Sequence, residues 1–551
     1  MFLYFVFGPL LLLAVHRSYY LITNYIAARK YGLPIIILPA SSEEPWWMPL
    51  RPLFSWVESL PLGLGSWYLY TDMGWSTVDE NRTALRLGEN FVLCSPASNA
   101  IVTCYPPGLD RVIKGHKNWP QPGAQNRLFA FYGENIASTN GADWQRHRKI
   151  TTSAFNERSM HQVWEESIKR ARSLNFAGES VRTLGRIRST FDVLAMHVLA
   201  IVGFGQEGTL KSIPPGHRQS LMDSLGFILK HILLTVVFHS LKAPDFLLPG
   251  VLRQLKLSVA EFKLYMEEIV LTHMRKAAKG RSESRSTSLL EAMVTANEAE
   301  KQQGQKLTGA SSYLSESELY GNLFVFNLAG FETTASTMTF ALSFLATYPE
   351  VQGWLIEEVD SYYSSSKDHE YSSIYPKLVR CLALMHETLR LASPAPLLVR
   401  TPTTPEEIPI ITPTGEKTLT VNPGTLVGIH TYAAHLSPRW GSDSQQFNPK
   451  RFVSSISGEE SLTVPEGGVF LPWLFGPRVC PGKKFSQVEF VAIIAQILSE
   501  YRIEPTMRDG ESKDRARERM VGVVGDKFFN ISAHLKRPED GEVRFVRRDT
   551  K

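Results

Sequence analysis

One cysteine of this chain stands in a loop that is suited to present its sulfur. Cys480 lies in the run Pro472–Gly482, P-W-L-F-G-P-R-V-C-P-G, and a helical pattern of apolar residues at spacings of three follows the run. Proline fixes the backbone and glycine permits close approaches, so this loop is expected to be rigid. The amino terminus of a helix stabilises negative charge and lowers the pKa of a thiol. The sequence therefore predicts an anionic thiolate, which can act as a nucleophile or bind a metal.

The other three cysteines carry no such signal. Cys94, Cys104 and Cys381 lie in apolar or mixed surroundings, where a lone cysteine usually serves as a small buried hydrophobe. Four cysteines in a chain of this length make no disulfide framework, so the main body is expected to face a reducing compartment.

The loop around Cys480 resembles the haem-binding loop of the cytochrome P450 family, F-x-x-G-x-R-x-C-x-G. Gly476, Arg478, Cys480 and Gly482 match that pattern, and Trp473 stands where the pattern has phenylalanine, which keeps a large aromatic ring near the sulfur. The resemblance implies that Cys480 is the axial thiolate ligand of the iron of haem b, and that Trp473, Gly476 and Arg478 also contact this cofactor. A thiolate ligand pushes electron density onto iron and favours O–O cleavage.

A second run that could do chemistry, A-G-F-E-T-T, spans Ala329–Thr334 inside a long apolar segment. Glu332 and Thr333 are polar groups in apolar surroundings, where burial is costly unless each group is paired. One interpretation is structural: the threonine bonds back to its own helix and the glutamate meets a structural partner. The run also resembles the family pattern [AG]-G-x-[DE]-T-[TS], which implies that Glu332 and Thr333 are the catalytic pair that organises water and delivers protons during dioxygen activation.

Trp144 and Arg148 are four residues apart and therefore share one face of a helix. The neighbouring Arg146, His147 and Lys149 also permit an ordinary basic surface cluster. The run resembles the family's W-x-x-x-R helix beside the haem, which implies that Arg148 donates to a haem propionate with help from Trp144.

The run Ser393–Arg400, S-P-A-P-L-L-V-R, resembles the family's strand along the floor of the substrate pocket. By that resemblance, Arg400 bonds a haem propionate. On the long apolar segment, a small alanine and the following glycine leave room for a flat cofactor against one helix face. The residues expected to line the substrate pocket are Ala329, Ala395, Leu397 and Leu398.

Glu387 and Arg390 lie three residues apart in H-E-T-L-R, and Arg451 follows in F-N-P-K-R-F. A glutamate and an arginine at this spacing commonly form a surface ion pair of little energetic value. In the family, an E-x-x-R pair and an arginine from a downstream P-x-R-F run form a buried triad. The resemblance implies that Glu387, Arg390 and Arg451 are this structural triad, which holds the loop that carries the cysteine.

These residues must be positioned by a large helical domain. Ser315 and Glu318 form a capping box, apolar residues then occupy all sides of the segment, and Pro349 stops it, which predicts a buried central helix of about 30 residues. We predict a mainly α fold with small β-sheets, the cytochrome P450 fold with this long helix over the haem. In the tail after Glu504, the runs V-G-V-V and F-F-N-I-S are predicted to be late strands.

The amino terminus differs from this body in composition. Residues 1–30 hold two nearly apolar runs whose combined length can cross a bilayer as a helix, and Arg29 and Lys30 end the segment. A cleaved signal peptide is one alternative, but the segment lacks the basic start and the small-residue cleavage site that such a peptide needs. A buried core helix is a second alternative. We predict a membrane anchor at 1–30, a stiff, non-helical, proline-rich linker at 31–53 and the catalytic domain at 54–551. The basic residues after the apolar run place the body in the cytosol.

The motifs occur in family order along the chain, and together they predict a haem-thiolate monooxygenase in the endoplasmic reticulum membrane. We expect dioxygen, and electrons from NADPH passed on by NADPH–cytochrome P450 reductase, to hydroxylate or epoxidise an apolar small molecule. The reductase is expected to be a separate protein because no flavin or Rossmann fingerprint is evident in this sequence. The proline-rich segment after the amino terminus and the residues of the motifs resemble those of fungal enzymes of secondary-metabolite biosynthesis.

Two other functions stay open at this point. One is an isomerase or dehydratase that keeps the fold and does not use dioxygen, although the intact acid–alcohol pair argues against it. The other is a non-enzymatic haem sensor. The net charge of +5, spread over 551 residues, gives no reason to expect nucleic acid as a partner, whereas membrane lipid, the reductase and an apolar substrate are expected partners.

Overall fold

Helices predominate in the computed structural model, which describes residues 2–123, 129–174, 181–184, 187–205, 212–238, 244–278, 288–304, 312–365 and 369–548. Small sheets lie among them, so the predicted mainly α class is confirmed. The α-helices of these residues are Phe2–Arg29, Trp47–Leu50, Trp75–Asp79, Arg82–Leu87, Pro106–Lys114, Gly141–Thr152, Glu157–Ser173, Ile187–Val198, Leu221–Lys230, Ile232–Phe238, Gly250–Ala278, Leu289–Gly304, Glu316–Thr347, Pro349–Glu358, Tyr371–Ile374, Val379–Leu391, Thr431–His435, Lys483–Glu500 and Lys513–Gly525.

The strands are short and gather into five sheets within the described residues. They are β1 (Ile35–Ile37), β2 (Asn90–Cys94), β3 (Asn99–Thr103), β4 (Val181–Leu184), β5 (Leu397–Arg400), β6 (Glu406–Thr412), β7 (Gly415–Val421), β8 (Leu426–His430), β9 (Val453–Ile456), β10 (Glu459–Leu462), β11 (Tyr501–Pro505), β12 (Lys527–Phe529), β13 (Ala533–Leu535) and β14 (Val543–Arg547).

The largest sheet has the strand order β1-β2-β3-β8-β5. β2 and β3 form an antiparallel hairpin, and β8 then pairs parallel to β3 and antiparallel to β5. The register places Leu398 opposite Ile429 and Arg400 opposite Val427. β5 is therefore an edge strand whose backbone is held on one side by the buried β8.

The central helix, Glu316–Thr347, is 32 residues long, or about 48 Å at 1.5 Å per residue. Both halves of the predicted capping box are present, since Ser315 Oγ accepts from Glu318 N and Ser315 N donates to Glu318 Oε2 at 2.7 Å. Most of its side chains are buried on all sides, which requires a domain of this size. Pro349 both prevents its continuation and opens the next helix, where a proline costs no hydrogen bond.

One prediction for the tail is wrong and one is confirmed in part. The V-G-V-V run forms the last turns of the helix Lys513–Gly525, whose start Ser512 caps by accepting from Arg515 N at 3.3 Å. A helical spacing of three and four therefore overrides the strand preference of the valines. The buried residues on this face are Ala516, Met520, Val523 and Val524. The F-F-N-I-S run contributes β12, which pairs with β13 as an antiparallel hairpin.

The amino-terminal helix Phe2–Arg29 contacts the body along its second half. Arg17 Nη1 lies 2.6 Å from Glu44 Oε1, and Asn99 Nδ2 donates to the Asn24 carbonyl oxygen at 2.8 Å. Among the residues that the structure describes, none of the helices has the length and apolar character that a membrane span requires. The membrane anchor at 1–30 stays a prediction.

Residues 31–53 are not the non-helical linker that the prolines suggested. Ile35–Ile37 adds the edge strand β1 to the main sheet, paired in parallel with β2, and Trp47–Leu50 is a short helix. Pro52 lies in the first turn of the 3₁₀ helix Arg51–Ser59, a position where proline is tolerated because no backbone donor is lost. Pro52 thus starts a short helix and Pro34 directly precedes β1, while the domain boundary at residue 54 stays a prediction.

Candidate functional site

Backbone hydrogen bonds and one glycine fix the loop before Cys480. Cys480 N donates to the Trp473 carbonyl oxygen at 2.9 Å. Gly476 has a φ of +70°, in the left-handed region that favours glycine. Trp473 Nε1 donates to Ser486 Oγ at 3.1 Å, which ties the loop to the helix Lys483–Glu500. The sulfur is thus presented by a constrained turn directly before a helix amino terminus.

Of the four cysteines, only Cys480 has an exposed side chain. Burial nevertheless raises the pKa of its thiol, while the Gly482 backbone N–H and the charge of Arg148 oppose that rise. The sulfur therefore opens onto a space that protein atoms enclose rather than onto bulk water. A metal cation bound there would favour the thiolate, because a coordinated thiol is deprotonated.

Two arginines beside the cysteine loop donate to neutral oxygens. Arg148 Nη1 donates to the Val479 carbonyl oxygen at 2.8 Å. Arg478 Nη2 donates to Asn140 Oδ1 at 2.8 Å, and its guanidinium lies 4.7 Å from the ring centroid of Trp144. The helix Gly141–Thr152 therefore brings the predicted pair Trp144 and Arg148 to the same loop as the cysteine.

Arg400, on β5, is the most deeply buried of the three predicted cofactor-binding arginines, at 5% exposed. Its Nη1 donates to the Val399 carbonyl oxygen at 2.8 Å, and burial lowers its pKa to about 10. Burial and the charge of Arg400 together lower the pKa of Arg478 to about 10 as well. Among the described residues, no carboxylate pairs with Arg148, Arg400 or Arg478, so these cations are suited to an anionic ligand.

The central helix is open at one stretch. Ala329 is exposed and Gly330 and Thr333 are half-buried, whereas the rest of the helix after Tyr320 is buried apart from the half-buried Phe326. A Cβ on Gly330 would lie 3.0 Å from Leu199 Cδ2, so glycine permits the close approach of the neighbouring helix. Thr333 Oγ1 donates to the Ala329 carbonyl oxygen at 2.8 Å, which is the back-bonded arrangement considered from the sequence.

Glu332 turns to a polar cluster that the sequence did not predict. Arg188 Nη2 lies 2.7 Å from its Oε2, while Ser532 Oγ donates to its Oε1 at 2.8 Å and His534 Nε2 lies 3.1 Å from the same oxygen. Burial acts to raise the pKa of Glu332, but the His534 hydrogen bond and the Arg188 charge outweigh it and lower the pKa to about 2. Glu332 is therefore an ionised carboxylate in a structural network in this structure.

The structure brings Glu387, Arg390 and Arg451 together. Arg390 Nε donates to Glu387 Oε2 at 2.7 Å and its Nη2 donates to Oε1 at 2.8 Å, with both side chains fully buried. Arg451 Nε donates to the same Oε1 at 3.2 Å. The sequence did not predict Asp443, whose Oδ2 accepts from Arg451 Nη2 at 2.9 Å and balances the second arginine.

The triad is linked to the cysteine loop through one buried histidine. Arg390 Nη1 donates to the His435 carbonyl oxygen at 2.9 Å, and His435 Nε2 accepts from Leu471 N at 2.9 Å. Burial lowers the pKa of His435 to about 3, so the ring is neutral and Nε2 is free to accept. Leu471 directly precedes the run that carries Cys480. The predicted role of the triad in holding that loop thus has a continuous path of contacts.

The predicted pocket residues Leu397 and Leu398 are half-buried at the start of β5, and Ala395, also half-buried, lies two residues before the strand. Leu397 Cδ1 lies 3.3 Å from where a Cβ on Gly428 would stand, so the strand is closely packed on the sheet side. Together with Ala329 on the central helix, these are apolar side chains with part of their surface uncovered.

The family model described as Cytochrome P450 matches residues 78–527 of the chain. The chain belongs to the cytochrome P450 family. It is 29% identical over 556 residues to the "Phomenoic acid biosynthesis cluster cytochrome P450 monooxygenase" of Leptosphaeria maculans, which covers 91% of this chain and 92% of that protein. It is also 29% identical over 423 residues to a cytochrome P450 monooxygenase of Postia placenta, covering 75% of this chain and 78% of the relative.

A crystal structure of a cytochrome P450 has the same fold, with a TM-score of 0.63 at 20% identity over 86% of this chain and 94% of the other. The predicted family and fold are confirmed. The curated relatives are monooxygenases, so this P450 chain is an oxidoreductase of the monooxygenase class.

Membership in the P450 family implies a haem whose iron is bound by a cysteine thiolate. The residues present fit that group. Cys480 presents an accessible sulfur to a space that is surrounded by protein. Arg148, Arg400 and Arg478 are cations that meet no carboxylate in the described part of the chain, which suits the two propionates of a haem.

Replacing Arg400 with methionine is expected to stabilise the haem-free protein and to weaken haem binding. The lowered pKa of this buried arginine means that its charge costs folding free energy at neutral pH. The variant should therefore raise the free energy of unfolding by about 1–3 kcal/mol, while the haem dissociation rate rises roughly tenfold. Denaturant unfolding of the haem-free protein and haem transfer to an acceptor protein measure the two effects.

Arg439→Met is the matched control, because Arg439 is paired with Glu89 at 2.9 Å and is 44% exposed. It should change the unfolding free energy by less than about 1 kcal/mol and leave haem transfer unchanged. Destabilisation of the Arg400→Met protein, with unaltered haem release, would contradict this account of Arg400.

Proposed function

We propose that this P450 is a haem-thiolate monooxygenase that uses dioxygen and electrons from NADPH, delivered by a separate reductase, to hydroxylate or epoxidise an apolar small molecule. The observation that carries the proposal is the sulfur of Cys480, which is accessible but opens onto a space surrounded by protein. The neighbouring arginines have no carboxylate partners among the described residues. That arrangement supports an anionic, metal-containing ligand at this point of the fold.

Each residue of the site has a proposed task. Cys480 would hold the iron, while Arg148, Arg400 and Arg478 would hold the propionates. Trp144 supports the Arg478 guanidinium through the ring contact at 4.7 Å. Trp473 and Gly476 would set the loop against the haem. When bound, the haem supplies dioxygen activation and transfer of one oxygen atom to the substrate.

Glu332 and Thr333 are proposed to act in proton delivery, as the sequence motif implies. Thr333 Oγ1 is half-exposed at the open stretch of the central helix, so water can reach it. Its hydroxyl keeps acceptor capacity while it donates to the Ala329 carbonyl oxygen. Glu332 occupies the preceding position of the helix, and its carboxylate faces the C-terminal hairpin. A proton path would therefore require the Glu332 carboxylate to exchange at least one of its present partners.

An apolar substrate agrees with the predicted pocket residues, Ala329, Ala395, Leu397 and Leu398, whose apolar side chains are partly uncovered. A role in fungal secondary-metabolite biosynthesis is supported by the similarity to the Leptosphaeria maculans monooxygenase of a phomenoic acid biosynthesis cluster. The substrate of this chain is thus proposed to be an apolar intermediate with an unactivated C–H or C=C bond.

We place the enzyme at the endoplasmic reticulum membrane, with its catalytic body in the cytosol. Apolar side chains remain exposed near the amino terminus, including Leu12 at 72%, Leu53 at 70%, Trp56 at 60% and Leu62 at 97%. Exposed apolar surface of this extent supports contact with membrane lipid. Such a location would bring the enzyme to a membrane-bound NADPH–cytochrome P450 reductase.

The purified protein is expected to carry one haem and, when reduced under carbon monoxide, to give the red-shifted absorption band of thiolate-ligated haem. With reductase, NADPH and an accepted apolar substrate, one oxygen atom from dioxygen should enter the product, which ¹⁸O₂ labelling and mass spectrometry detect. Absence of haem or of the thiolate band would overturn the proposal.

The alternatives predict different results in the same experiment. An isomerase or dehydratase would convert a peroxide substrate without NADPH and without ¹⁸O incorporation. A sensor would bind haem but turn over no substrate in a broad apolar screen. No observation in the described structure favours either of them over the monooxygenase.

A further inference from the structure

The cluster around Glu332 fixes the protonation pattern of one histidine. Arg188 Nη1 lies 3.3 Å from His534 Nδ1, and because an arginine can only donate, Nδ1 must carry the lone pair. His534 Nε2, 3.1 Å from the ionised carboxylate oxygen of Glu332, must then carry the hydrogen. His534 is therefore assigned as the neutral tautomer with its proton on Nε2, aimed at Glu332.

The same cluster runs from the interior towards solvent. The exposed fraction of the side chain is 9% for Glu332, 17% for Arg188 and 21% for His534. Of these donors, only the imidazole has one ring nitrogen that can accept a proton while the other donates one, since arginine only donates and the serine hydroxyl stays neutral. His534 is thus the titratable contact between the buried carboxylate and water.

Glu332 on its own is poorly suited to collect protons from solvent. Its pKa of about 2 keeps it ionised at neutral pH, and it is nearly enclosed. Arg188 also contacts Asp192 at 2.6 Å, so the charged groups that face the histidine are Glu332, Arg188 and Asp192. With a neutral imidazole this cluster carries one net negative charge, and with an imidazolium it is neutral, so taking up one proton is electrostatically reasonable.

We propose that His534 is a positioning residue that acts through Glu332: it holds the carboxylate on the hairpin side and passes solvent protons to it. This inference rests on the proposed function. The step moves one proton and no electrons. A solvent proton binds at Nδ1, replacing the Arg188 contact, and the Nε2 proton passes to Glu332 Oε1. The ring is left neutral with its hydrogen on Nδ1, and exchange with water restores the starting tautomer.

The hairpin gives this contact a fixed geometry. Ser532 Oγ holds the same Glu332 oxygen at 2.8 Å, and Ser336 Oγ on the central helix donates to the Ala533 carbonyl oxygen at 2.5 Å. The imidazole also stacks on Phe528, with ring centroids 5.3 Å apart. The hairpin is therefore anchored to the central helix at Glu332 and again one turn later at Ser336, and a change at His534 need not displace it.

Two variants separate relay from positioning. His534→Gln keeps an amide donor near the place of Nε2 but cannot titrate, whereas His534→Phe removes the hydrogen bond and keeps a ring against Phe528. His161→Gln is the matched control, because the His161 ring contacts Tyr371 rather than any member of the cluster.

The first measurement does not depend on turnover. Nitrogen-15 NMR of histidine-labelled, haem-loaded protein without reductase reports the tautomer of His534, assigned by its absence in His534→Gln. We expect the Nε2–H form in the wild type and a mixture of both tautomers in Glu332→Gln, since an amide can donate as well as accept. An Nδ1–H tautomer in the wild type would overturn the assignment and with it the proposal.

The second measurement follows turnover with reductase against pH. In the wild type the rate should fall as pH rises, because the proposed relay takes its proton from solvent. His534→Gln should lose that pH dependence, turn over about tenfold more slowly and release more hydrogen peroxide per NADPH. His534→Phe should lose at least as much of the turnover rate and coupling, while His161→Gln should match the wild type in rate, coupling and pH dependence.

The outcomes distinguish this inference from the proposed function. If the wild type shows the thiolate band and turnover, and His534→Gln keeps the wild-type pH profile and coupling, the relay is wrong while the monooxygenase stands. If His534→Gln matches the wild type and only His534→Phe is impaired, His534 merely packs and positions, and the relay is again wrong. Absence of turnover in the wild type itself would count against the proposed function.

Discussion

Replacement of Cys480 by serine is expected to abolish monooxygenation while leaving the protein folded. The exposed sulfur faces an enclosed space, and the surrounding loop is held by bonds that do not involve it, such as Cys480 N to the Trp473 carbonyl oxygen at 2.9 Å. A serine hydroxyl fits the same position but is a harder and weaker ligand for iron. The electron donation that favours O–O cleavage would then be lost.

The expected loss of turnover is about 10³-fold or more, equivalent to about 4 kcal/mol of transition-state stabilisation. The reduced, carbon-monoxide-bound spectrum should lose the thiolate band, and the haem content per protein should fall. Circular dichroism of the variant should match the wild type, because Cys480 is not a member of the main hydrophobic core clusters of the described residues.

Cys104→Ala is the control that removes a thiol elsewhere. Cys104 is buried, its Sγ lies 3.6 Å from the Glu89 carbonyl oxygen, and it belongs to the cluster under the main sheet. Its loss should cost stability by about 1–2 kcal/mol without changing the spectrum. Turnover by Cys480→Ser at the wild-type rate, or an unchanged thiolate band, would remove the basis of the proposed function.

The parts of the molecule that could be predicted from the sequence are those whose signal is local. The central helix is one, since its capping box and its proline stop lie at its own two ends. The E-x-x-R pair is another, because a spacing of three within one helix necessarily places Glu387 and Arg390 side by side. Family resemblance then indicated which distant arginine would join them.

Contacts between distant segments had no such signal. The partners of Glu332 stand 144 residues before it and 202 residues after it, on Arg188 and His534. Nothing in the motif around Glu332 specifies whether its carboxylate meets solvent, a haem-side water or a cation. The same limit applies to Asp443, which satisfies Arg451 from a loop with no recognisable pattern.

Composition also gave a wrong secondary-structure prediction in two segments where packing decides the structure. The valines of V-G-V-V favour strands locally, but their burial with Met520 on one face requires a helix. The proline-rich stretch after residue 30 was predicted to be a linker. Instead, Ile35–Ile37 pairs with β2 as the edge strand of the main sheet. In the first case the helical spacing of the buried residues outweighed the local strand preference, and in the second a partner far away in sequence did.

Removing the charge of Glu387 is expected to cost about 3–5 kcal/mol of unfolding free energy and most of the bound haem. Glu387→Gln would leave Arg390 as a fully buried cation without its carboxylate. It would also weaken the bonds from Asn448 N at 2.8 Å and Arg451 Nε at 3.2 Å to the same oxygen. Thermal unfolding of the haem-free protein and haem content after purification measure the two effects.

The control is Glu44→Gln, which removes the carboxylate from the pair with Arg17 near the amino terminus. Those two side chains are 11% and 22% exposed, so solvent compensates part of the lost charge. A change of no more than about 1 kcal/mol and normal haem content are expected. Equal effects of the two variants would show that the buried triad has no special structural value.

A double variant decides whether the charge pair or the carbonyl contacts of Arg390 hold the cysteine loop. Glu387→Leu with Arg390→Met replaces a buried ion pair by apolar side chains, which often restores stability. Here recovery should be incomplete, because Arg390 also donates to the carbonyl oxygens of His435 at 2.9 Å and Gln446 at 3.1 Å. Those carbonyl groups would be left unsatisfied, and His435 would no longer be held to accept from Leu471 N. We therefore expect the double variant to unfold at a higher temperature than Glu387→Gln yet to remain poor in haem. Recovery of both properties would show that the charges alone matter and that the path through His435 is dispensable.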